Sequence, residues 1–322
     1  MSPSPVVVIT GASSGLGRAT AQAFAKRHAK LVLVARGAST LEDVAREATA
    51  LGARDVVTVS GDTSDQATTD RAVDTAIARN GRVDVWINAA AVTAYGTFWE
   101  QPAADFERVL QVDINGYANG TRSALRAMMP QRSGLIVNVA SILGEVPQPY
   151  SAAYSMSKAA VIALGRSLRS ELSLANSPVH VVTVLPPTLD TPIFHHSANA
   201  TGHELRALPP VYPASDVVDV ILAAWKHPRK PERTVTGAGR VLVRQHNKRP
   251  VAVEAAVAKQ TQVLQLGKPA PDTTGNLYTP SGDPHTVSGG WGGRRRKTGR
   301  LLLAAAVAAG AAYVLGAKRS GR

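Results

Sequence analysis

The 322-residue chain has no cysteine. That absence excludes disulfides, thiolate nucleophiles and cysteine-ligated metals, and it leaves the redox compartment open. Aromatic residues are sparse, at 5%, and none are interleaved with a basic face, so a formal charge of +13 does not read as a nucleic-acid surface. The charge is also unevenly placed. Eight of the 36 Lys/Arg lie in residues 294–322, which hold no Asp or Glu; taking those eight from +13 leaves +5 on the rest. No internal repeat occurs at solenoid periods. No charged segment precedes an apolar core at the N-terminus, where residues 6–9 already read as a buried strand, so a secretory leader is not expected and the catalytic part is expected in the cytoplasm.

What is present is an alternation. Short apolar, β-branched runs at residues 6–9, 31–34, 56–59, 85–87, 135–139 and 179–185 are separated by stretches that can be helices. Strands buried on both faces read this way, so the expected fold is α/β: a doubly wound, Rossmann-like parallel sheet. A helix from about 214 to 227 and a last strand near 234–236 complete it. The chain then divides into a catalytic domain at 1–240, a C-terminal extension at 241–293 and a tail at 294–322. Residues 239–266 can hold one or two helices, whereas 267–293, rich in Gly, Pro, Ser and Thr, read as linker.

The first strand runs into Thr10-Gly11-Ala12-Ser13-Ser14-Gly15-Leu16-Gly17 and then an alanine-rich helix. Gly11 to Gly15 formally match a GxSxG nucleophile elbow with Ser13 as nucleophile. A triad would need a later acid and histidine in order, and His195, His196 and His203 fall in a segment that reads as surface or lid. The wider pattern GxxxGxG fits better, because positions without side chains let backbone amides approach a pyrophosphate at a helix N-terminus. The second strand ends in Ala35-Arg36 rather than in an acid. Arginine can pair with a 2′-phosphate, so NADP(H) is favoured over NAD(H). Asp62 can face the adenine amine or cap the helix that begins near Ser64.

Tyr154 and Lys158 stand four residues apart, on one helix face, and Ser141 precedes the tyrosine by thirteen positions. A cation beside a phenol, whose free pKa is about 10, favours phenolate and draws the group toward the working pH, as general acid/base chemistry requires. Ser141 would then hold the substrate oxygen.

With these elements in order, residues 5–240 resemble the short-chain dehydrogenase/reductase family. The motifs that carry the resemblance are Thr10 to Gly17, Asp62, Asn88-Ala89-Ala90-Ala91, Ser141, Tyr154 with Lys158, and Pro186-Pro187-Thr188-Leu189-Asp190-Thr191. The resemblance implies a seven-stranded parallel sheet and a tyrosine that exchanges a proton with a carbonyl or alcohol oxygen. It implies a lysine that binds the nicotinamide ribose and lowers the tyrosine pKa. Asn88, Ala89, Ala90, Pro186, Leu189 and Thr191 would line the cofactor, Thr191 near the carboxamide. Helices around 105–130 and 152–174 often pair subunits in this family, so a homo-oligomer is an expected partner state.

Three positions depart from the family pattern. Asn88-Ala89-Ala90-Ala91 replaces Asn-Asn-Ala-Gly, and Pro186-Pro187 replaces Pro-Gly, stiffening the substrate loop. Asp113 stands where an asparagine normally holds a water that links the lysine to solvent; Asn115 would face another side of the helix. Asp113 can accept from such a water but, when ionised, cannot donate.

In the tail, residues 301–317 run seventeen positions without a charge, about 25 Å as a helix against a hydrocarbon core of about 30 Å. Apolar residues on every face favour a single C-terminal span with the catalytic domain cytoplasmic; a soluble cytoplasmic protein is the second reading. The expected activity is hydride transfer between a nicotinamide and a lipophilic carbonyl or secondary alcohol. The alternative is an NADP-binding regulatory or scaffold protein without turnover.

Overall fold

Alternate residues of the first strand, β1 (Val6–Thr10), feed opposite cores. Val7 and Ile9 enter one cluster, with Phe24, Leu41, Val44 and Ile221, while Val6 and Val8 enter the other, with Val73, Trp86, Met128 and Leu172. A strand that must bury both faces needs helices on both, which is why the apolar runs are continuous rather than alternating. The computed structural model describes residues 4–281 and 286–292.

Six further strands join β1: β2 (Lys30–Ala35), β3 (Asp55–Ser60), β4 (Val85–Asn88), β5 (Leu135–Val139), β6 (His180–Leu185) and β7 (Glu232–Thr234). The order across the sheet is β7-β6-β5-β4-β1-β2-β3, and every pairing is parallel. The order reverses between β1 and β4, so their carboxyl ends open a crevice there. The last strand forms two residues earlier than expected, in register with Thr183–Leu185 of β6.

One face carries α1 (Gly15–Ala25), α2 (Ala38–Ala50) and, later in the chain, Ala214–Lys226. The other carries α3 (Gln66–Asn80), Gly116–Gln131 and Ala152–Leu174, while Ala103–Leu110 packs in a separate cluster with Ala153 and Leu277; in chain order Ala103–Leu110, Gly116–Gln131 and Ala152–Leu174 are α4, α5 and α6. Ala214–Lys226 is α7; α8 (Gly237–Lys248) and α9 (Pro250–Leu264) follow.

Where composition suggests a linker, the described part of 267–293 is packed on the domain. Leu266–Pro269 pairs antiparallel with His203–Leu205, and Thr273 bridges Asn199. Leu277 is fully buried, and Trp291 packs with Phe194, Ala207 and Val211. Glycine and proline counts register loop character but not the two apolar anchors that fasten this loop. Residues 294–322, where a spanning helix is expected, lie outside the described residues. Among the described ones no helix is long and apolar enough to cross a membrane.

Candidate active site

The turn from β1 to α1 is shaped by positions that tolerate no side chain. Gly11 has φ +67°, and a Cβ there would lie 2.7 Å from the backbone of Ala90. A Cβ on Gly17 would meet the Gly11 carbonyl at 2.1 Å. Bare glycines therefore let the start of α1 approach both its own turn and the end of β4, with helix amides at the crevice. Such a cradle fits the pyrophosphate of a dinucleotide. Thr10 ties the two strand ends from below, its hydroxyl oxygen accepting from the Ala89 and Ala90 amides at 3.0 and 3.2 Å.

A single cavity of about 840 Å³ runs along this crevice. It brings together Gly11, Ser13, Ser14, Gly15, Leu16, Gly17, Arg36, Asp62, Ala89, Ala90, Ser141, Tyr154, Lys158, Pro186, Leu189 and Thr191. Thr10, Asn88 and Asp113 lie outside its lining. Asn88 is buried beneath it, accepting from Trp86 Nε1 at 2.7 Å and donating to Asn138 Oδ1 at 2.8 Å and Thr121 Oγ1 at 3.1 Å. It knits β4 to β5 and α5.

At the reacting corner the helix between α4 and α5 widens into a π-turn, Gln111–Asn115. The extra residue in that turn points Asp113 inward while Asn115 stays exposed. Asp113 Oδ1 accepts from the Val92 amide at 2.9 Å, and Oδ2 lies 3.0 Å from Lys158 Nζ, with both side chains at most 1% exposed. The expected intervening water has no room: the contact is a direct, buried ion pair. Lys158 also donates to Tyr117 Oη at 3.3 Å and sits 4.6 Å from the Tyr117 ring centre and 5.1 Å from that of Tyr154. Tyr117 in turn donates to the Val139 carbonyl at 2.7 Å.

Burial pushes the Tyr154 phenol above its ordinary pKa; Lys158 opposes this, and the Asp113 carboxylate adds to the rise. Lys158 does draw the phenol down, as the resemblance implies, but burial outweighs it and the Asp113 carboxylate works against it. Burial likewise raises the Asp113 carboxyl, against the pull of Lys158 and the Val92 amide. Ser141 Oγ accepts from the Leu143 amide at 3.1 Å, capping the turn Ile142–Gly144. Its own O–H stays available to the cavity.

At the other end, Arg36 donates to the Leu277 carbonyl at 2.9 Å and to that of Asn276. Asp62 accepts from the Ser64 amide at 2.9 Å and the Ser64 hydroxyl at 2.7 Å, and it pairs with Arg108. Burial raises its carboxyl, yet Ser64 and Arg108 outweigh that and hold it below the usual range. The helix cap considered for Asp62 belongs to Asp65, which accepts from the Ala67 amide at 3.0 Å. Arg108 also donates to the Leu277 carbonyl, at 3.0 Å. Neither Arg108 nor Tyr117 carried a sequence signal, since only the fold brings Tyr117 to the cavity and Arg108 to Asp62 and the Leu277 carbonyl. His195 stacks on Trp291 at 4.4 Å, and His203 lies in the strand paired with Leu266–Pro269; neither meets Ser13 in a triad.

A glycine-cradled crevice at a sheet switch point, with serine, tyrosine and lysine at one end, defines a nicotinamide-dependent oxidoreductase class. A family model described as short chain dehydrogenase matches residues 5–201, and the chain belongs to that family. It is 32% identical over 229 residues to an uncharacterized oxidoreductase, YxnA, of Bacillus subtilis, covering 70% of this chain and 64% of that relative. It is 40% identical over 191 residues to a cis-4-hydroxycyclohexanecarboxylate dehydrogenase of Sinomonas cyclohexanicum, covering 58% of this chain and 74% of that one. A short-chain dehydrogenase/reductase from Burkholderia phymatum, solved in complex with NAD, superposes with a TM-score of 0.70 at 29% identity, over 77% of this chain and 95% of its own.

Proposed function

We propose that the chain is an NADP(H)-dependent oxidoreductase acting on a lipophilic carbonyl or secondary alcohol. The observation that carries this reading is the placement of Ser141, Tyr154 and Lys158 along one cavity that is continuous with the glycine cradle. The nicotinamide supplies or takes the hydride. In reduction, Ser141 donates a hydrogen bond to the carbonyl oxygen and Tyr154 gives that oxygen its proton; in oxidation the phenolate takes it back. Lys158 holds the ribose side of the site, and Asp113 fixes the position of Lys158. The glycine turn, Ala89, Ala90, Pro186, Leu189 and Thr191 line the cofactor, over the supports of Thr10 and Asn88.

Preference for the 2′-phosphate is supported by two guanidiniums, Arg36 and Arg108, that share one peptide carbonyl. Arg36 is held by peptide carbonyls, which a phosphate, ionic and able to accept two parallel bonds, would displace, whereas Arg108 is already paired with Asp62. A lipophilic substrate is supported by the apolar walls beyond Tyr154, among them Leu143, Val146, Phe194 and, from α8 and α9, Leu242 and Val253. By its sequence alone, the 294–322 tail would hold such an enzyme at a membrane; resistance to a carbonate wash tests that.

The non-catalytic reading keeps one specific observation, the direct Asp113–Lys158 pair where a water relay is usual. NADPH consumption with a panel of apolar ketones and aldehydes decides between the two. Turnover that disappears in Tyr154→Phe supports the enzyme; cofactor binding without turnover on any carbonyl supports the scaffold. Equal affinities for NADPH and NADH would remove Arg36 from its role.

A further inference from the structure

The first amide of α1 is already taken. Gly15, which opens the helix, donates its N–H at 2.9 Å to the carbonyl of Thr286, a residue of the C-terminal extension well past residue 201, where the family match stops. That amide belongs to the cradle that fits a pyrophosphate, so a carbonyl of the chain stands where a cofactor phosphate oxygen would bind. Thr191 lies against the same glycine: a Cβ on Gly15 would meet the Thr191 Cβ at 3.3 Å.

The stretch that carries Thr286 has its own seat beside the crevice. Asp190 Oδ2 accepts from the Ser288 hydroxyl at 2.7 Å, and Asp190 Oδ1 accepts from the Gly289 and Trp291 amides at 3.1 and 2.8 Å. Trp291 Nε1 donates to the Thr191 carbonyl at 3.2 Å. Gly289 comes so close that a Cβ there would stand 2.2 Å from that same carbonyl oxygen. The seat is nevertheless shallow. Trp291 is the buried anchor, whereas Thr286, Ser288 and Gly290 are exposed, and of residues 286–290 only the half-buried Val287 packs on the core. Lifting this stretch breaks polar contacts and uncovers little apolar surface.

We propose that residues 286–290 are an internal competitor of the dinucleotide: the Thr286 carbonyl and a cofactor phosphate oxygen take the Gly15 amide in turn, and the cofactor binds by moving this stretch aside. The inference rests on the oxidoreductase reading above and adds its regulation. A phosphate oxygen is charged and a peptide carbonyl is not, so the phosphate makes the stronger bond and wins the exchange, with some affinity lost to the displacement. The pyrophosphate is common to NADPH and NADH, so the competition weakens both by the same factor. The Arg36 contacts with residues 276 and 277, by contrast, bear on the 2′-phosphate alone.

The test reads amide hydrogen exchange and cofactor affinity in the full-length chain. In the unmodified protein, saturation with NADPH or with NADH is expected to make the Gly289 and Gly290 amides exchange several-fold faster, because their bonds to Asp190 and the Ser288 hydroxyl are given up. Two variants weaken the competitor: Gly289→Ala sets a methyl against the Thr191 carbonyl, and Ser288→Ala removes a bond to Asp190. Each should tighten NADPH and NADH alike, by about 2- to 10-fold, the worth of one neutral hydrogen bond, with the larger gain in Gly289→Ala. The exchange measurement needs no variant, so a poorly folded Gly289→Ala does not stop the test. Exchange that slows on cofactor addition would make the stretch a clamp over the cofactor and overturn the inference, and unchanged exchange overturns it too. Affinities unchanged or weakened in both variants, or tightened for NADPH alone, also overturn it while leaving the oxidoreductase reading in place. If neither nucleotide binds the unmodified chain or the variants, the oxidoreductase reading falls and the competition falls with it.

Discussion

The two ends of the cavity are held by different means. At the reacting corner every polar contact is made inside the core: Asp113 to Lys158 and Val92, Lys158 to Tyr117, Tyr117 to Val139, with the ion pair almost wholly excluded from solvent. At the adenosine end the arginines are only partly buried, and two of them rest on a peptide carbonyl contributed by the C-terminal extension. The first arrangement fixes the reacting groups before any ligand arrives. The second holds Arg36 on neutral carbonyls that a phosphate can replace, beside an Arg108 that also pairs with Asp62. Geometry is thus built into one end and exchangeable contacts into the other.

The strongest break of this contrast is at the tyrosine. Tyr154→Phe removes the proton donor without changing the shape of the ring, and turnover should fall by about 10²- to 10⁴-fold while cofactor affinity holds. Loss of both together would mean that the corner and the cradle are a single structural unit. Next is the buried pair. Asp113→Ala leaves the Lys158 cation unpaired at 1% exposure and should cost about 3–5 kcal/mol, read from the denaturant midpoint, with Asp113→Asn costing less. Equal, small losses in both variants would show that the ion pair adds little to the fold.

How much of this was legible beforehand differs between the same two ends. Six of the seven sheet strands announce themselves as apolar runs because both faces are covered, and Tyr154, Lys158 and Ser141 declare themselves by spacing. Asp113 was visible as a departure from the family pattern, but its direct contact with Lys158 was not. That contact depends on a π-turn, and hydrophobic periodicity does not encode one residue too many in a helix. Tyr117 and Arg108 were silent because only the fold brings Tyr117 to the cavity and Arg108 to Asp62. Leu277 was silent for another reason: it acts through its carbonyl, which every residue has, and it lies in a stretch whose composition suggests a linker.

The adenosine end gives a weaker, more selective prediction. Arg36→Ala removes hydrogen bonds that a 2′-phosphate would share with Arg108, so NADPH affinity should fall by about 10- to 100-fold, with NADH affinity nearly unchanged. Titration of both cofactors by nucleotide fluorescence measures it. An equal loss for both would assign Arg36 to holding residues 276 and 277 rather than to reading the phosphate.

The smallest effect joins the two ends through pH. Alcohol oxidation needs Tyr154 as phenolate, and burial favours the phenol. The oxidation rate should therefore climb with pH through a midpoint above the ordinary tyrosine value, while reduction, which uses the phenol, keeps its proton donor across neutral pH. The Asp113 carboxylate raises that midpoint, since a negative charge beside the phenol disfavours a second one. Asp113→Asn removes the charge and should move the limb to lower pH. Arg36→Ala, at the far end of the cavity, should leave the limb where it is. If the limb moves equally in both variants, it reports a change of the whole cavity; if it stays fixed in Asp113→Asn, the ion pair serves the fold and not the proton.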